Sequence, residues 1–91
     1  QHLIVRATEG DPTAFDLLMD LHRPALTSMA QRQLRNQDDV NDVVQETVLK
    51  AYRAIRDFDH TRPLRPWLCR ICANCCVDCI RHRKRSGESI E

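Results

Sequence analysis

The stretch from Val40 to Phe58 sets the fold class. Val40, Val44, Val48, Ala51, Ile55 and Phe58 recur three or four residues apart. At about 100° per residue they fall within an arc of roughly 80°, so a helix gathers them on one face. No strand-like alternation competes, and two Gly and four Pro are too few for a turn-rich β fold. Upstream, Gln1 to Glu9 places Leu3, Ile4 and Ala7 on one side and stops at Gly10, a C′ glycine. Asp11-Pro12 then reads as the N-cap and first residue of a second helix. Its stripe is Phe15, Leu18, Leu21 and Leu26, continued by Met29, Ala30 and Leu34 to about Arg35, and Pro24 is expected to kink or break it. After the polar connection Arg35-Asn36-Gln37, Asp38 or Asp39 is expected to cap the third helix, which reaches about Asp57. A loop, Asp59 to Arg65, precedes a fourth helix with Pro66 in its first turn and its end near Arg85. The expected fold is all-α: a compact bundle of about four helices over residues 1–85, with a polar tail over residues 86–91.

Ninety-one residues allow one small domain, which buries only about 60–65% of its unfolded surface. Apolar residues at 42% and charged residues at 30% fit a folded chain rather than a disordered one. No apolar run approaches the ~20 residues of a membrane span and no signal peptide opens the chain, so no membrane partner is expected. The net charge of +1 conceals a division. Residues 1–59 carry seven Lys/Arg against ten Asp/Glu, whereas residues 60–85 carry seven Lys/Arg against Asp78 alone. An acidic part and a basic part suggest two different partners.

The fourth helix concentrates the basic part. On a helical wheel Leu68, Cys69, Cys72, Cys75, Cys76 and Cys79 fall within about 120°. Arg70, Asn74, Arg81, Lys84 and Arg85 lie opposite, joined by Trp67 and Asp78, and the face runs on into Arg81-His82-Arg83-Lys84-Arg85. Arg and Lys neutralise phosphates, Asn can read a base edge and an indole can stack on an unpaired base. The plainer alternative is a solvated face whose basic end favours the helix dipole. Asp78 sits four residues after Asn74 and three before Arg81, within pairing reach of both.

All five cysteines lie between Cys69 and Cys79, too close together to staple distant loops, and this points to the reducing cytoplasm. Cys69-x2-Cys72-x2-Cys75-x3-Cys79 has the spacing of a bacterial ferredoxin cluster motif. Cluster ligation needs a backbone that wraps the cluster, and between Leu68 and Arg85 there is neither Gly nor Pro. Without these cysteines the helix would have almost no apolar face, so burial as small hydrophobes is the preferred reading. The rival is a small iron–sulfur or zinc redox-sensing helical protein, with His82 as a further ligand.

Opposite its valines the third helix presents Asp38, Asp42, Gln45, Glu46, Leu49 and Arg53, with Tyr52 beside Leu49. An apolar residue ringed by charge is how a docking site looks, although most acidic helix faces are only solvated. No phosphate loop, nucleophile–histidine pair or carboxylate couple appears, so no enzyme, no metal and no cofactor are expected. The scattered histidines His2, His22, His60 and His82 read as exposed residues.

These residues resemble region 2 of the bacterial sigma-70 family, in particular its extracytoplasmic function group. The matching pieces are Gly10-Asp11 with Ala14-Phe15, then Asp42-Val43-Val44-Gln45-Glu46, Ala51-Tyr52 and Phe58. Trp67-Leu68, Arg70-Ile71, Asn74, Asp78 and Arg81 follow in family order and spacing. The resemblance implies a transcription initiation factor domain that binds core RNA polymerase and recognises and melts the promoter −10 element. By position, Asp42, Gln45, Glu46, Leu49 and Arg53 would dock on the β′ clamp helices. Phe58, His60, Thr61, Arg62 and Arg65 would belong to the loop that captures a flipped non-template base. Asn74 would contact strand bases, Arg70 and Arg81 would hold phosphates, Trp67 would sit at the edge of the melted duplex, and Arg83, Lys84 and Arg85 would extend the DNA face. An anti-sigma protein is an expected partner. Cys69 stands where the family often has an aromatic and Cys72 where alanine is usual, both on the inferred core side. Arg62-Pro63-Leu64-Arg65-Pro66 is more basic and stiffer than the family's loop, and nothing resembles region 4, which is expected beyond a linker.

Overall fold

The computed structural model describes residues 2–85. Four helices form: α1 His2–Thr8, α2 Pro12–Gln33, α3 Gln37–Ala54 and α4 Leu64–Arg85, with a 3₁₀ turn Ile55–Asp57 extending α3. The expected polar tail over residues 86–91, like the expected start at Gln1, lies outside the described residues. No helix among them is long and apolar enough to cross a membrane.

The α1–α2 corner is built from three residues. Gly10 has φ of 97°, a conformation that favours glycine, whereas the flexible Arg56 guanidinium that a Cβ would meet at 2.5 Å can move aside. Asp11 caps α2, its Oδ1 accepting from Thr13 N at 3.0 Å and Ala14 N at 3.2 Å. Its Oδ2 lies 2.6 Å from the Arg6 guanidinium, which holds the carboxyl below the usual carboxylate range.

α2 departs from expectation twice. It runs unbroken through exposed Pro24, so the expected break does not occur, and buried Met19, Leu26 and Ala30 hold both halves on the core. Leu21, expected in the stripe, is 63% exposed, and Ala14 and Met19 are buried instead. The α3 cap also differs: Asn36 accepts from Asp38 N at 2.7 Å and Asp39 N at 3.3 Å. That frees Asp38 and Asp39 for the first turn, where their charge favours the dipole. Val43 and Thr47 widen the buried face of α3, and the Thr47 hydroxyl is satisfied by donating to Val43 O at 2.7 Å.

α4 begins two residues before Pro66. Leu64, expected in the loop, is buried as the first helical residue and anchors the start of the helix. Pro66 still falls among the first four positions, where a missing N–H costs nothing. Leu68, Cys72, Cys75 and Cys76 are fully buried against α2 and α3. Truncating Leu68 to Ala would cost about 2–5 kcal/mol. Every buried side-chain N or O among the described residues has a partner.

Candidate nucleic-acid and partner-binding faces

The outer side of α4 is a stripe of Arg70, Asn74, Arg81 and Lys84, all exposed, with Val77 43% exposed between them. At 1.5 Å per residue the stripe spans about 21 Å. Arg70, Arg81, Lys84 and Arg85 have no carboxylate partner among the described residues, so four cations remain open to external anions.

Arg83 is placed differently. Its guanidinium turns back to α3 and grips Asp39, with Nη2 donating to Oδ1 at 2.9 Å and Nε to Oδ2. This half-buried fork holds the Asp39 carboxyl below its ordinary range. Asp78 likewise lies 4.0 Å from Lys50 Nζ on α3, rather than pairing along its own helix with Arg81, and Lys50 also reaches Glu46 at 3.4 Å. Trp67 is half-buried, its ring 4.8 Å from that of Phe58 and tilted by 45°, so the pair fastens the loop to α4.

The loop before α4 is shaped by Asp59, which sequence reasoning passed over. Its Oδ1 accepts from Thr61 N at 3.0 Å and Thr61 Oγ1 at 2.6 Å, and these bonds hold the Asp59 carboxyl low. Arg62 N donates to Asp59 O at 3.0 Å and closes the turn. The Asp-x-Thr spacing was the available signal. His60 and Arg62 project into solvent from this turn. Just past the loop, Arg65, which was also expected in it, stands in the first turn of α4, and its Nε donates to His22 Nδ1 on α2 at 3.3 Å. His22, expected to be exposed, is therefore half-buried and hydrogen-bonded, with burial first and Arg65 second lowering its pKa.

Asp42, Gln45, Glu46, Leu49 and Arg53 share the exposed side of α3, and Leu49 is 47% exposed. Tyr52, beside Leu49, is braced edge-on by Phe15 with ring centroids 5.2 Å apart. Between α3 and α4 runs a groove of about 380 Å³ lined by Asp39, Asp42, Glu46, Asp78, His82 and Arg83.

All five cysteines are free thiols, and the three in the core are poor nucleophiles. Burial raises Cys72 and Cys75 and pushes Cys76 up to about 12. Cys72 Sγ faces Leu26 O at 3.8 Å, and Thr47 lies against both Cys72 and Cys75. Among the described residues no three His, Cys, Asp or Glu side chains converge to hold a metal ion. Burial gives Cys72, Cys75 and Cys76 the packing role read from the sequence, while Cys69 and Cys79 are only partly buried at its margin.

With this geometry the comparisons are specific. Residues 18–86 match sigma-70 region 2. The chain belongs to the sigma-70 region 2 family. Its fold is similar to that of an engineered region 2 of sigmaE in complex with GTAAAA, with a TM-score of 0.89 at 37% identity, covering 98% of this chain and 93% of that one. The RNA polymerase sigma factor CnrH of Cupriavidus metallidurans is 40% identical over 82 residues, 90% of this chain and 43% of CnrH. The structure of CnrH in complex with the cytosolic domain of CnrY matches with a TM-score of 0.79 at 41% identity, covering 84% of this chain and 49% of that one. The extracytoplasmic function sigma factor SigW of Bacillus subtilis is 33% identical over 81 residues, 89% of this chain and 43% of SigW. This sigma region 2 domain thus spans less than half the length of the sigma factors it matches.

Proposed function

We propose that this domain docks on core RNA polymerase with one face and recognises and melts the promoter −10 element with another. The observation that carries the reading is the open stripe of Arg70, Asn74 and Arg81 on a fold like that of sigmaE region 2 in complex with GTAAAA. On α3, Asp42, Gln45, Glu46, Leu49 and Arg53 dock on the β′ clamp helices. Phe58, His60, Thr61, Arg62 and Arg65 surround the position of a flipped base, with Trp67 at the edge of the duplex. Asn74 reads bases of the non-template strand, while Arg70, Arg81, Lys84 and Arg85 hold its phosphates. Arg83 ties α4 to α3 instead. The domain works in the cytoplasm, and the CnrH–CnrY complex supports an anti-sigma protein as a further partner.

Binding energy alone does the work, and no covalent bond is made or broken. Extruding a base costs a few kcal/mol of stacking. Stacking on protein side chains returns about 1–3 kcal/mol per base, and phosphate neutralisation adds a salt-dependent share. The Asx turn at Asp59 lowers the entropic cost of ordering the capture loop, because the turn exists before DNA arrives.

Fluorescence anisotropy with a panel of single-stranded hexamers built around GTAAAA tests this reading. The wild-type chain should rank the panel, and Arg81→Ala should weaken every member alike while making the salt slope shallower by about 0.7. Equal affinity for all members would remove the base-reading role.

A further inference from the structure

We propose that His22 is a positioning residue for strand binding, aiming the Arg65 guanidinium at a phosphate of the captured single strand. The inference rests on the −10 reading above and deepens it. Arg65 stands in the first turn of α4, directly after the capture loop, and its side chain is exposed. An arginine offers two bidentate edges, one made by Nε with one Nη and the other by the two Nη groups. His22 Nδ1 accepts from Nε at 3.3 Å and so occupies the first edge. Among the described residues nothing else bonds to Arg65, so its Nη pair remains for a phosphate. Accepting that proton requires Nδ1 to be unprotonated, and the half-buried position of His22 beside a cation favours the neutral ring.

The consequence is entropic. A free arginine gives up side-chain freedom when it meets a phosphate, whereas one already held at Nε gives up less. The contact also joins α2 to the start of α4 across 43 residues of sequence, fixing Arg65 relative to the core rather than to the loop alone. No local sequence signal announces such a pair.

A double-mutant cycle tests the proposal, with a fluorescent single strand carrying GTAAAA as the probe and the 91-residue chain as the protein. Arg65→Ala should weaken binding about tenfold and His22→Leu, which fills the half-buried site without an acceptor, about threefold. In the Arg65→Ala background His22→Leu should add nothing. His22→Gln, which keeps an acceptor, should bind within twofold of wild type. Should melting curves show that His22→Leu loses the fold, His22→Gln carries the test, and its binding as weakly as Arg65→Ala overturns the proposal. Additive losses in the cycle, or an Arg65→Ala variant that binds like wild type, overturn it while the wild-type ranking of the hexamer panel leaves the −10 reading standing. A wild-type chain that binds no strand removes both.

Discussion

α3 and α4 are neighbouring amphipathic helices whose charges fall into two groups. At the seam between them Asp39 meets Arg83, and Lys50 bridges Glu46 and Asp78. The shielded Asp39–Arg83 fork ties the two helices together, whereas the exposed Lys50 pairs contribute little. Asp42 lines the groove at the edge of the seam; farther out α3 presents Gln45 and exposed Leu49, and α4 presents Arg70, Asn74 and Arg81. Apart from Glu46, which belongs to both groups, these side chains do little for the fold. An acidic face around a leucine and a basic face around an amide suit the two partners of opposite character proposed for them. The inner faces differ as well. α3 buries valines, whereas α4 buries Cys72, Cys75 and Cys76, whose small size lets it sit close against both α2 and α3.

The largest expected effect breaks the outer faces apart. Leu49→Glu should reduce retention of core polymerase in a pull-down by at least about 30-fold, since a charge replaces the apolar centre of the proposed docking face. Asn74→Ala should flatten the ranking of single-stranded hexamers by about tenfold at the position it reads, leaving polymerase retention unchanged.

Seam charges should answer to stability instead. Arg83→Ala should cost about 1.5 kcal/mol in urea unfolding near pH 7. Because Arg83 depresses the Asp39 pKa below its ordinary 3.8, that contribution is present above 3.8 and fades as pH falls through the lowered value. Wild type and Arg83→Ala should therefore converge in strongly acidic solution; a gap that persists there would assign the loss to packing. The smallest effect concerns the inner face. Brief iodoacetamide treatment of the native chain at pH 7.5 should leave Cys72, Cys75 and Cys76 unmodified by mass spectrometry, whereas denaturant exposes all five. The sign follows from burial: a raised pKa leaves less thiolate at neutral pH, and alkylation should speed up with rising pH.

Local signals made most of the fold legible. Gly10, Asp11 and Pro12 announced the α1–α2 corner within three residues, and the valine period announced α3. The cysteine arc announced the inner side of α4. Failures came where two local signals competed. Asn36, Asp38 and Asp39 are all good caps, and only the geometry selects Asn36. Pro24 breaks helices in isolation, but the packing on both sides of it overrides that preference. The outer faces were legible as charge patterns, yet His22 with Arg65 and Asp39 with Arg83 were not. Their partners lie 43 and 44 residues apart, and no periodicity encodes a contact between elements.

The separation of the two outer faces is tested most directly by one number, the affinity of Leu49→Glu for the GTAAAA single strand. The account predicts a value within twofold of wild type in a variant that no longer retains core polymerase. A parallel loss of strand binding in a variant with an unchanged melting curve would contradict it.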